Sequence, residues 1–555
     1  MRVCTARQMA AIDRETISMG EPGIDLMERA GQAIAEVVLE RLDDADEGCG
    51  HDPGCGHDHG DDAGRGVLVL VGKGNNGGDG LAAARLLAAA QVPVTVLLLA
   101  PVAELSPDAR RNHDRLPQAV TLLISSRRDW LTALTEAADG ADLLVDAIFG
   151  TGIKPPLREE WSDLLRAIND LGLPCVAADV PSGVDGNDGR VDPVAVAADV
   201  TVTMGLPKLG LLLPAGREFA GQVLVADIGF PDEVCRRHTG DLHWLTREDH
   251  LALLPPRPGT VHKYDCGSLL VVAGSRAFGG AAQLAGLGAL RSGAGLITVA
   301  APRCLEDPLR VGLPEALVVP LAETPAGTIA PAAPEVLEHL LEGRRAAAVG
   351  PGLADDPDTD TWVVQWLAGL DLPLVVDADA LGAFARLERE PAFATDQVIL
   401  TPHAGELGRL LGRPSAEVEA ERLTLVGDLA VRWQCIVMLK GAPTVIGVPD
   451  GRVFINASGD DALARGGSGD VLTGLLVGLL AQGMDALDAA LLGAYVHGLA
   501  GTHAARRQGN RSVLVREIAA AVGPVFLEME QEASTVATLR ERIWPTTKNP
   551  RGRGS

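Results

Sequence analysis

The sequence predicts an α/β protein with two domains, each built around a mostly parallel sheet. Three observations support this. The chain has 555 residues, which is too many for a single hydrophobic core. Short apolar runs that end in polar or glycine residues alternate with helical patterns, as they do in parallel sheets with crossover helices. This alternation stops near residues 232–247 and starts again at residues 267–275.

The first predicted domain covers residues 1–232 and begins with two helices. The second of these carries an apolar stripe at helical spacing: Ile24, Met27, Ala30, Ile34, Val37 and Val38. A buried strand, GVLVLVG, and a helix at residues 81–90 come next. Further strands are predicted in VPVTVLLLA, AVTLLIS, ADLLVDAIFG, LPCVAADVPSG, ADVTVTMG and GQVLVADIGFP.

The second predicted domain covers residues 245–535, and residues 536–555 are expected to form a tail. Its predicted strands are GSLLVVAGS, GLITVAAP, AAAVGPG, LPLVVDADAL, QVILTPHAGEL and CIVMLKGAPTVI. Each run ends in Gly, Pro, Asp, His or Lys. Ligands of open parallel sheets bind at the carboxyl ends of the strands, so each domain is expected to have a site of its own.

Composition restricts the possible partners. The net charge is −26 and the acidic residues are dispersed, which argues against nucleic acid and acidic membranes as ligands. No apolar run reaches the roughly 18 residues of a membrane span, and the N-terminus lacks the apolar block of a secretory signal. The eight cysteines are scattered, as expected for reduced thiols. We therefore expect a cytoplasmic protein that acts on small molecules as a homo-oligomer.

An insert at about residues 43–66 is rich in Gly, His, Asp and Cys. It contains five potential soft-metal ligands: Cys49, His51, Cys55, His57 and His59. The absence of a CxxC pair and the many glycines favour the alternative, a flexible acidic loop.

The stretch GKGNNGGDG at residues 72–80 lies between a predicted strand and a predicted helix. It lacks the Lys-Ser/Thr pair of a Walker loop. Gly72, Gly74 and Gly77 match GxGxxG, but this match alone is weak evidence for a dinucleotide site. The asparagines and Asp79 are more than a phosphate loop requires, which indicates that the ligand involves more than phosphate.

Two further loops begin with an aspartate at a predicted strand end. Asp146 leads DAIFGTGIKPPL, whose glycines and Lys154 suit an anion, and Asp179 leads DVPSGVDG. A single aspartate in this position is usually a helix N-cap, but two beside two glycine-rich loops weaken that alternative. The oxygens of Asn76, Asp146 and Ser182 suit an alkali or alkaline-earth cation.

In combination, GNNGGDG, DAIFGTG and DVPSGVDG resemble the epimerase domain of NAD(P)H-hydrate repair enzymes, over roughly residues 1–230. The resemblance implies a Rossmann-like three-layer domain that interconverts the 6R and 6S hydrates of NADH and NADPH (NADHX and NADPHX). It implies a potassium ion held by Asn76, Asp146 and Ser182. It implies hydrate binding by Asn75, Asn76, Gly77, Gly78, Asp79, Gly150, Thr151, Gly152, Ile153, Lys154, Pro155, Pro156 and Asp179. Epimerisation needs a proton shuttle, for which Asp179 and Asp146 are our candidates.

The strongest signal in the chain is LARGGSGDVLTGLLVGLLAQG at residues 463–483. Four small residues precede Asp470 at the start of an apolar helix. Amides at a helix N-terminus can hold an anion, and the neighbouring aspartate can act as a base toward a hydroxyl that receives a phosphoryl group. An ordinary helix cap is the alternative, but a cap requires only one small residue. The stretch is similar to the GxGD motif of the ribokinase-like superfamily.

Together with HKYDCGSLLVVAGS and FGGAAQLAG, this motif resembles the NAD(P)H-hydrate dehydratase domain, over roughly residues 245–530. The resemblance implies a ribokinase-like three-layer domain that removes water from the S hydrate by transient phosphorylation, with Mg²⁺ and, as in fused members, ADP. It implies nucleotide binding by Lys440, Gly441, Ala442, Pro443, Thr444 and Gly469. It implies hydrate contacts from Ala281, Gly352, His403 and Asp470, with Asp470 as general base.

Two alternatives remain open at this stage. One is a ribokinase-like kinase for a sugar or vitamin, with the first domain as a ligand-binding module. The other is a first domain that only binds a partner, against which the Asp and Asn set argues.

Overall fold

The structure is a computed structural model that describes residues 1–47, 65–257 and 260–543. The chain divides into two compact units, Met1–Trp244 and a second unit that begins at Leu245. The five potential metal ligands of the Cys/His insert lie outside the described residues. Within the described ranges, no helix is both long and apolar enough to cross a membrane.

The first unit contains nine α-helices and eight strands within its described residues. The helices are α1 (Ala6–Ser18), α2 (Gly23–Glu47), α3 (Asn75–Ala89), α4 (Pro107–Asp114), α5 (Trp130–Ala137), α6 (Glu159–Asp170), α7 (Leu209–Leu212), α8 (Pro214–Ala220) and α9 (Asp232–His238). The strands are β1 (Gly66–Val71), β2 (Val94–Leu98), β3 (Thr121–Ile124), β4 (Ala141–Ala147), β5 (Cys175–Ala178), β6 (Val200–Met204), β7 (Gln222–Ala226) and β8 (Leu242–Trp244).

Strands β1 to β7 form a parallel sheet in the order β3-β2-β1-β4-β5-β6-β7. Successive side chains of a strand point to opposite faces. Accordingly, Val67, Val69 and Val71 pack in one core with residues of α2 and α3, whereas Leu68 and Leu70 pack in another with residues of α5 and α6. The unit therefore has three layers, and the strand order reverses between β1 and β4, where ligands of such sheets bind.

The second unit contains twelve α-helices and nine strands within its described residues. The helices are α10 (Arg247–Ala252), α11 (Gly279–Arg291), α12 (Glu306–Gly312), α13 (Ala333–Leu341), α14 (Pro357–Gly369), α15 (Ala378–Arg386), α16 (Ala404–Leu411), α17 (Ser415–Ala420), α18 (Arg422–Trp433), α19 (Ser468–Ala481), α20 (Ala486–Gln508) and α21 (Val515–Ile543). The strands are β9 (Ser268–Val272), β10 (Leu296–Pro302), β11 (Leu317–Leu321), β12 (Ala346–Val349), β13 (Leu374–Val376), β14 (Val398–Leu400), β15 (Ile436–Leu439), β16 (Thr444–Gly447) and β17 (Val453–Asn456).

These nine strands lie side by side in the order β11-β10-β9-β12-β13-β14-β15-β16-β17. Residues of α11, α19, α20 and α21 pack against one face of this sheet. Helices α14 to α18 connect strands that advance in the other direction, so right-handed crossovers place them on the opposite face. The predicted fold class, two three-layer α/β domains, is confirmed.

Two local predictions of secondary structure are wrong. The run CIVMLKGAPTVI is not one strand: β15 and β16 pair antiparallel, because the chain turns at residues 440–443, where Gly441 has a φ of +146°. The helix predicted at residues 81–90 begins earlier than expected, because α3 already starts at Asn75, inside the stretch GKGNNGGDG.

Candidate active sites

A cavity of about 950 Å³ lies at the carboxyl ends of the strands in the first unit. Many of the predicted hydrate-binding residues line it: Asn75, Asn76, Asp79, Gly150, Thr151, Gly152, Ile153, Lys154 and Asp179. The remaining four predicted residues do not line the cavity within the described part of the chain: Gly77, Gly78, Pro155 and Pro156. The cavity therefore gathers predicted residues from three separate strand ends, those of β1, β4 and β5, around one space.

The glycines of GNNGGDG mainly allow close packing. A Cβ on Gly77 would lie 2.0 Å from the carbonyl oxygen of Gly72, and one on Gly80 would lie 2.5 Å from the Cβ of Ala147. The first turn of α3 can therefore approach the ends of β1 and β4 closely, and Asn76 and Asp79 reach the cavity from this turn.

The predicted cation ligands meet beside this turn. The carboxylate of Asp146 is buried, and it accepts hydrogen bonds from the hydroxyl and the backbone amide of Ser182, both at 2.7 Å. The backbone of Phe149 joins the group, because its N–H donates to Ser182 Oγ (2.9 Å) and its carbonyl accepts from Asn76 Nδ2 (2.9 Å). Asn76 Oδ1 is buried without a hydrogen-bond partner among the described residues. An unpaired buried oxygen that is linked through Phe149 and Ser182 to a buried carboxylate suits a cation.

Asp146 belongs to this cluster and not to the wall of the cavity. Burial raises the pKa of its carboxyl to about 6, while the hydrogen bonds from Ser182 and Ile148 oppose the rise. The role of Asp146 as a proton shuttle stays a prediction, and the geometry favours Asp179 over it, because Asp146 does not line the cavity and both of its carboxylate oxygens are bonded inside the protein.

Asp179 forms an ion pair that the sequence did not predict. Its Oδ1 accepts a hydrogen bond from Lys208 Nζ at 2.5 Å, and Lys208 also donates to the carbonyl of Met204 at 2.7 Å. The side chain of Lys208 is fully buried, and both partners line the cavity. The available signal was a lysine in GLPKLG just after a predicted strand.

Asp79 lines the same cavity as this pair. Burial raises the pKa of Asp79 well above its ordinary value, and the charges of Asp179 and Asp13 raise it further, whereas Lys208 lowers it. The cavity thus combines a hydrogen-bonded Asp179–Lys208 pair with an Asp79 carboxyl that favours its protonated form. Groups in such different environments can serve as base and acid in one reaction.

In the second unit, Lys440 joins two acidic residues. Lys440 Nζ donates to Asp377 Oδ1 at 2.7 Å and lies 3.8 Å from Glu406 Oε2. The other oxygen of Asp377 accepts a hydrogen bond from Thr473 in α19 at 2.7 Å. Burial alone would lower the pKa of Lys440, but Asp377 and Glu406 raise it overall, so the lysine is charged.

Asp470 lies in the first turn of α19. The N-cap residue of this helix is Gly467, which has a φ of +96°, so no side chain caps the helix N-terminus. A Cβ on Gly469 would lie 3.2 Å from Lys440 Nζ, which brings the small residues and the lysine together. Burial, followed by the charge of Asp377, raises the pKa of Asp470 to about 7, while Lys440 opposes the rise. A carboxyl with this pKa is suited to accept a proton near neutral pH.

The other predicted dehydratase residues occupy neighbouring strand ends. His403 caps α16, because its Nδ1 accepts hydrogen bonds from the amides of Gly405 (3.0 Å) and Glu406 (3.3 Å). Its side chain is 54% exposed, so it is not a core histidine. A Cβ on Gly352 would lie 2.8 Å from the Cβ of Ala281, which places these two residues together where the strand order reverses between β9 and β12.

The predicted nucleotide loop is the turn between β15 and β16. Lys440, Gly441, Ala442 and Pro443 form this turn, and Thr444, the first residue of β16, donates its hydroxyl to the Gly441 carbonyl at 3.2 Å. Sequence reasoning named Lys440 but missed its partner Asp377, although DADAL places an aspartate at a strand end.

Fold and sites together define a two-site α/β enzyme with acid–base groups in one unit and a glycine-capped aspartate beside a half-buried lysine in the other. The family model described as "NAD(P)H-hydrate dehydratase" matches residues 269–523, and the model "YjeF-related protein N-terminus" matches residues 23–210. The chain belongs to the family of bifunctional NAD(P)H-hydrate repair enzymes, as the motifs predicted.

Two relatives and one solved structure illustrate the similarity. The bifunctional NAD(P)H-hydrate repair enzyme of Moorella thermoacetica is 38% identical over 97% of this chain and 98% of the relative. The corresponding enzyme of Thermofilum pendens is 36% identical over 92% of this chain and 93% of the relative. The ADP/ATP-dependent NAD(P)H-hydrate dehydratase from Bacillus subtilis, co-crystallised with ATP/Mg²⁺, is 33% identical over 51% of this chain and 97% of its own, with a TM-score of 0.44.

Proposed function

We propose that the first unit interconverts the R and S forms of NADHX and NADPHX, and that the second unit dehydrates the S form with ADP. The observation that carries this proposal is the position of Asp470, whose carboxyl has a pKa of about 7 beside Lys440 at the glycine-capped start of α19. The proposed dehydration requires a base for phosphoryl transfer, and Asp470 in the second unit supplies it. The proposed epimerisation requires acid–base groups, and Asp79 and Asp179 line the cavity of the first unit.

In the dehydration, Asp470 takes the proton from the hydroxyl on C6 of the hydrate as that oxygen bonds to the β-phosphorus of ADP and AMP leaves. The amides of residues 467–469 hold the transferred phosphoryl group, and Lys440 and Thr444 hold the nucleotide phosphates. The ring nitrogen then expels phosphate from C6, and loss of a proton from C5 restores NADH or NADPH.

A magnesium ion is expected to accompany the ADP. The carboxylate of Glu406 is an oxygen ligand of the kind that Mg²⁺ takes together with nucleotide phosphates, whereas both oxygens of Asp377 are bonded to Lys440 and Thr473. When bound, the ion neutralises phosphate charge. Ala281, Gly352 and His403 line the neighbouring strand ends and would contact the hydrate.

In the epimerisation, Asp79 donates a proton to the C6 hydroxyl, which leaves as water with the help of the ring nitrogen. Water then returns to the other face of the planar C6 and gives up its proton to Asp179, whose carboxylate Lys208 holds by a hydrogen bond. That both carboxylates line the cavity supports this proposal. Proton transfer between them through solvent resets the site.

A reaction mixture can test the division of labour. With R and S NADHX, Mg²⁺ and ADP, we expect both epimers to disappear and the near-ultraviolet absorbance of NADH to return, at about one nucleotide per turnover. Without nucleotide, the two epimers should only equilibrate. Parallel reactions with ATP establish the preferred nucleotide. Accumulation of a stable phosphorylated product would instead support the kinase alternative.

A potassium ion fits the cluster of Asn76, Asp146 and Ser182, since Asn76 Oδ1 is buried without a partner in the described structure. Bound there, it would fix the start of α3, and with it Asp79, against the loop after β4. The ion takes no part in proton transfer.

We expect potassium to stabilise the wild-type protein. Its melting temperature should be higher in potassium chloride than in tetramethylammonium chloride at equal ionic strength, because the cation binds only the folded state. In Asn76→Leu this difference should disappear. Asn169→Leu is a matched control, since Asn169 Nδ2 also donates to a carbonyl at 2.9 Å but lies outside the cluster. Equal melting temperatures of the wild type in both salts would exclude the site.

A further inference from the structure

The cavity of the first unit extends beyond the predicted residues, toward β3. There its wall consists of Ser125, Ser126, Arg127, Trp130 and Trp161. The ring centroids of Trp130 and Trp161 lie 4.1 Å apart, so the two indoles form an aromatic wall. Trp130 is only 3% exposed, and its Nε1–H has no hydrogen-bond partner within the described part of the chain. This donor is enclosed by the protein, so the wall offers the ligand its aromatic surface, on which a base can stack.

The strand order places this end far from the proton-transfer groups. Arg127 follows β3 and Asp179 follows β5, and β2, β1 and β4 lie between those two strands. Because adjacent strands are about 4.8 Å apart, four spacings separate the two strand ends by about 19 Å. A dinucleotide hydrate whose reacting ring lies at Asp179 therefore extends its adenosine toward β3.

The cations along the cavity differ in whether they are already paired. Lys208 is bonded to Asp179, and Lys73 pairs with Glu104 at 3.3 Å. Arg127 and Lys154 make no ion pair and no side-chain hydrogen bond within the described residues. Lys154 follows β4 in the middle of the sheet, where the diphosphate common to both hydrates would pass. Arg127 lies at the end that only the adenosine reaches.

We propose that the aromatic wall holds the adenosine of the hydrate and that Arg127 binds the 2′-phosphate, which makes the epimerase site favour NADPHX over NADHX. A guanidinium can donate two parallel hydrogen bonds to a phosphate. The 2′-phosphate is the only group in which the two substrates differ, and it carries nearly two negative charges at neutral pH. This inference rests on the proposed epimerase function of the first unit.

The test measures epimerisation of NADPHX and of NADHX by the full chain, without ADP or ATP. We expect Arg127→Ala to lower kcat/KM for NADPHX roughly tenfold to a hundredfold, and for NADHX less than about threefold. Arg128→Ala is the matched control: Arg128 is the neighbouring exposed arginine and is not part of the cavity wall, so both substrates should be processed as before.

An unreactive probe isolates binding from catalysis. Adenosine 2′,5′-bisphosphate should inhibit epimerisation by the wild type more strongly than AMP does, and Arg127→Ala should remove that difference. Equal losses for NADPHX and NADHX, or no loss for either, would overturn the role of Arg127. If the wild type epimerises neither hydrate, the proposed function itself is wrong, and calorimetric binding of the two adenosine probes to both proteins then decides the inference separately.

Discussion

Asp470→Asn is expected to abolish dehydration and to leave epimerisation unchanged. The substitution removes the base that accepts the hydroxyl proton but keeps the size of the side chain, so kcat for NADH regeneration should fall about a thousandfold. The R and S epimers should still equilibrate at the wild-type rate, since their site lies in the other unit. Chromatographic separation of the epimers and NADH, followed in time, measures both reactions in one sample.

Asp485→Asn provides the control for this variant. Asp485 is the N-cap residue of α20 and accepts a hydrogen bond from the amide of Asp488 at 2.8 Å, whereas Asp470 makes no such capping bond. The control should lose some stability and keep its rate. If Asp470→Asn retained the dehydration rate, the assignment of Asp470 as the base would be wrong.

The pH dependence of the wild type should report the same carboxyl. Since burial raises its pKa from 3.8 to about 7, kcat/KM for dehydration should rise with pH and level off above about pH 7. The raised pKa also means that Asp470 contributes stability fully only below about pH 4 and that this contribution is lost as the pH rises through about 7. Asp470→Asn should therefore raise the melting temperature more at about pH 8 than at about pH 5.

Asp179→Asn should produce the second large effect, a loss of epimerisation with dehydration of the S hydrate retained. The amide cannot accept the proton of the returning water, and a decrease of about a hundredfold to ten-thousandfold is expected. Pure R hydrate with ADP should then persist, while pure S hydrate is repaired normally. Asp199→Asn is the control, because Asp199 accepts a backbone hydrogen bond from Cys175 at 2.8 Å and does not line the cavity.

Lys208 allows the catalytic and structural contributions of the pair to be separated. Lys208→Met leaves Asp179 as a largely buried charge without its partner, which should destabilise the protein by about 3–5 kcal/mol. The double variant Asp179→Asn, Lys208→Met should recover most of that stability in chemical denaturation but none of the epimerisation rate. Recovery of the rate along with the stability would show that the pair is only structural.

Much of the architecture could be predicted because it depends on local patterns. Alternating apolar strands and helices predicted two α/β domains, and the small residues before Asp470 predicted the glycine-capped start of α19. The polar strand ends were also predictable, since parallel strands bring their carboxyl ends to one edge. Asn76, Asp146 and Ser182 lie in three separate segments, yet their shared oxygen chemistry singled them out together.

The partners of these residues were not predictable from local patterns. Lys208 and Asp377 appear in the sequence as ordinary residues after strands, and their importance follows only from the 2.5 Å and 2.7 Å contacts to Asp179 and Lys440. Likewise, Asp146 resembles a catalytic acid in the sequence, whereas its burial and its bonds to Ser182 remove it from the cavity.

The sequence by itself therefore determined the fold class, the family, and the strand ends at which chemistry takes place, because hydrophobic periodicity and short motifs are local properties of the chain. The tertiary structure decided which carboxyls have raised pKa values, which are bonded away from the ligand, and which cations remain available to the ligand. Those properties depend on burial and on contacts between segments far apart in sequence, such as Asp377 with Thr473 or Asp179 with Lys208.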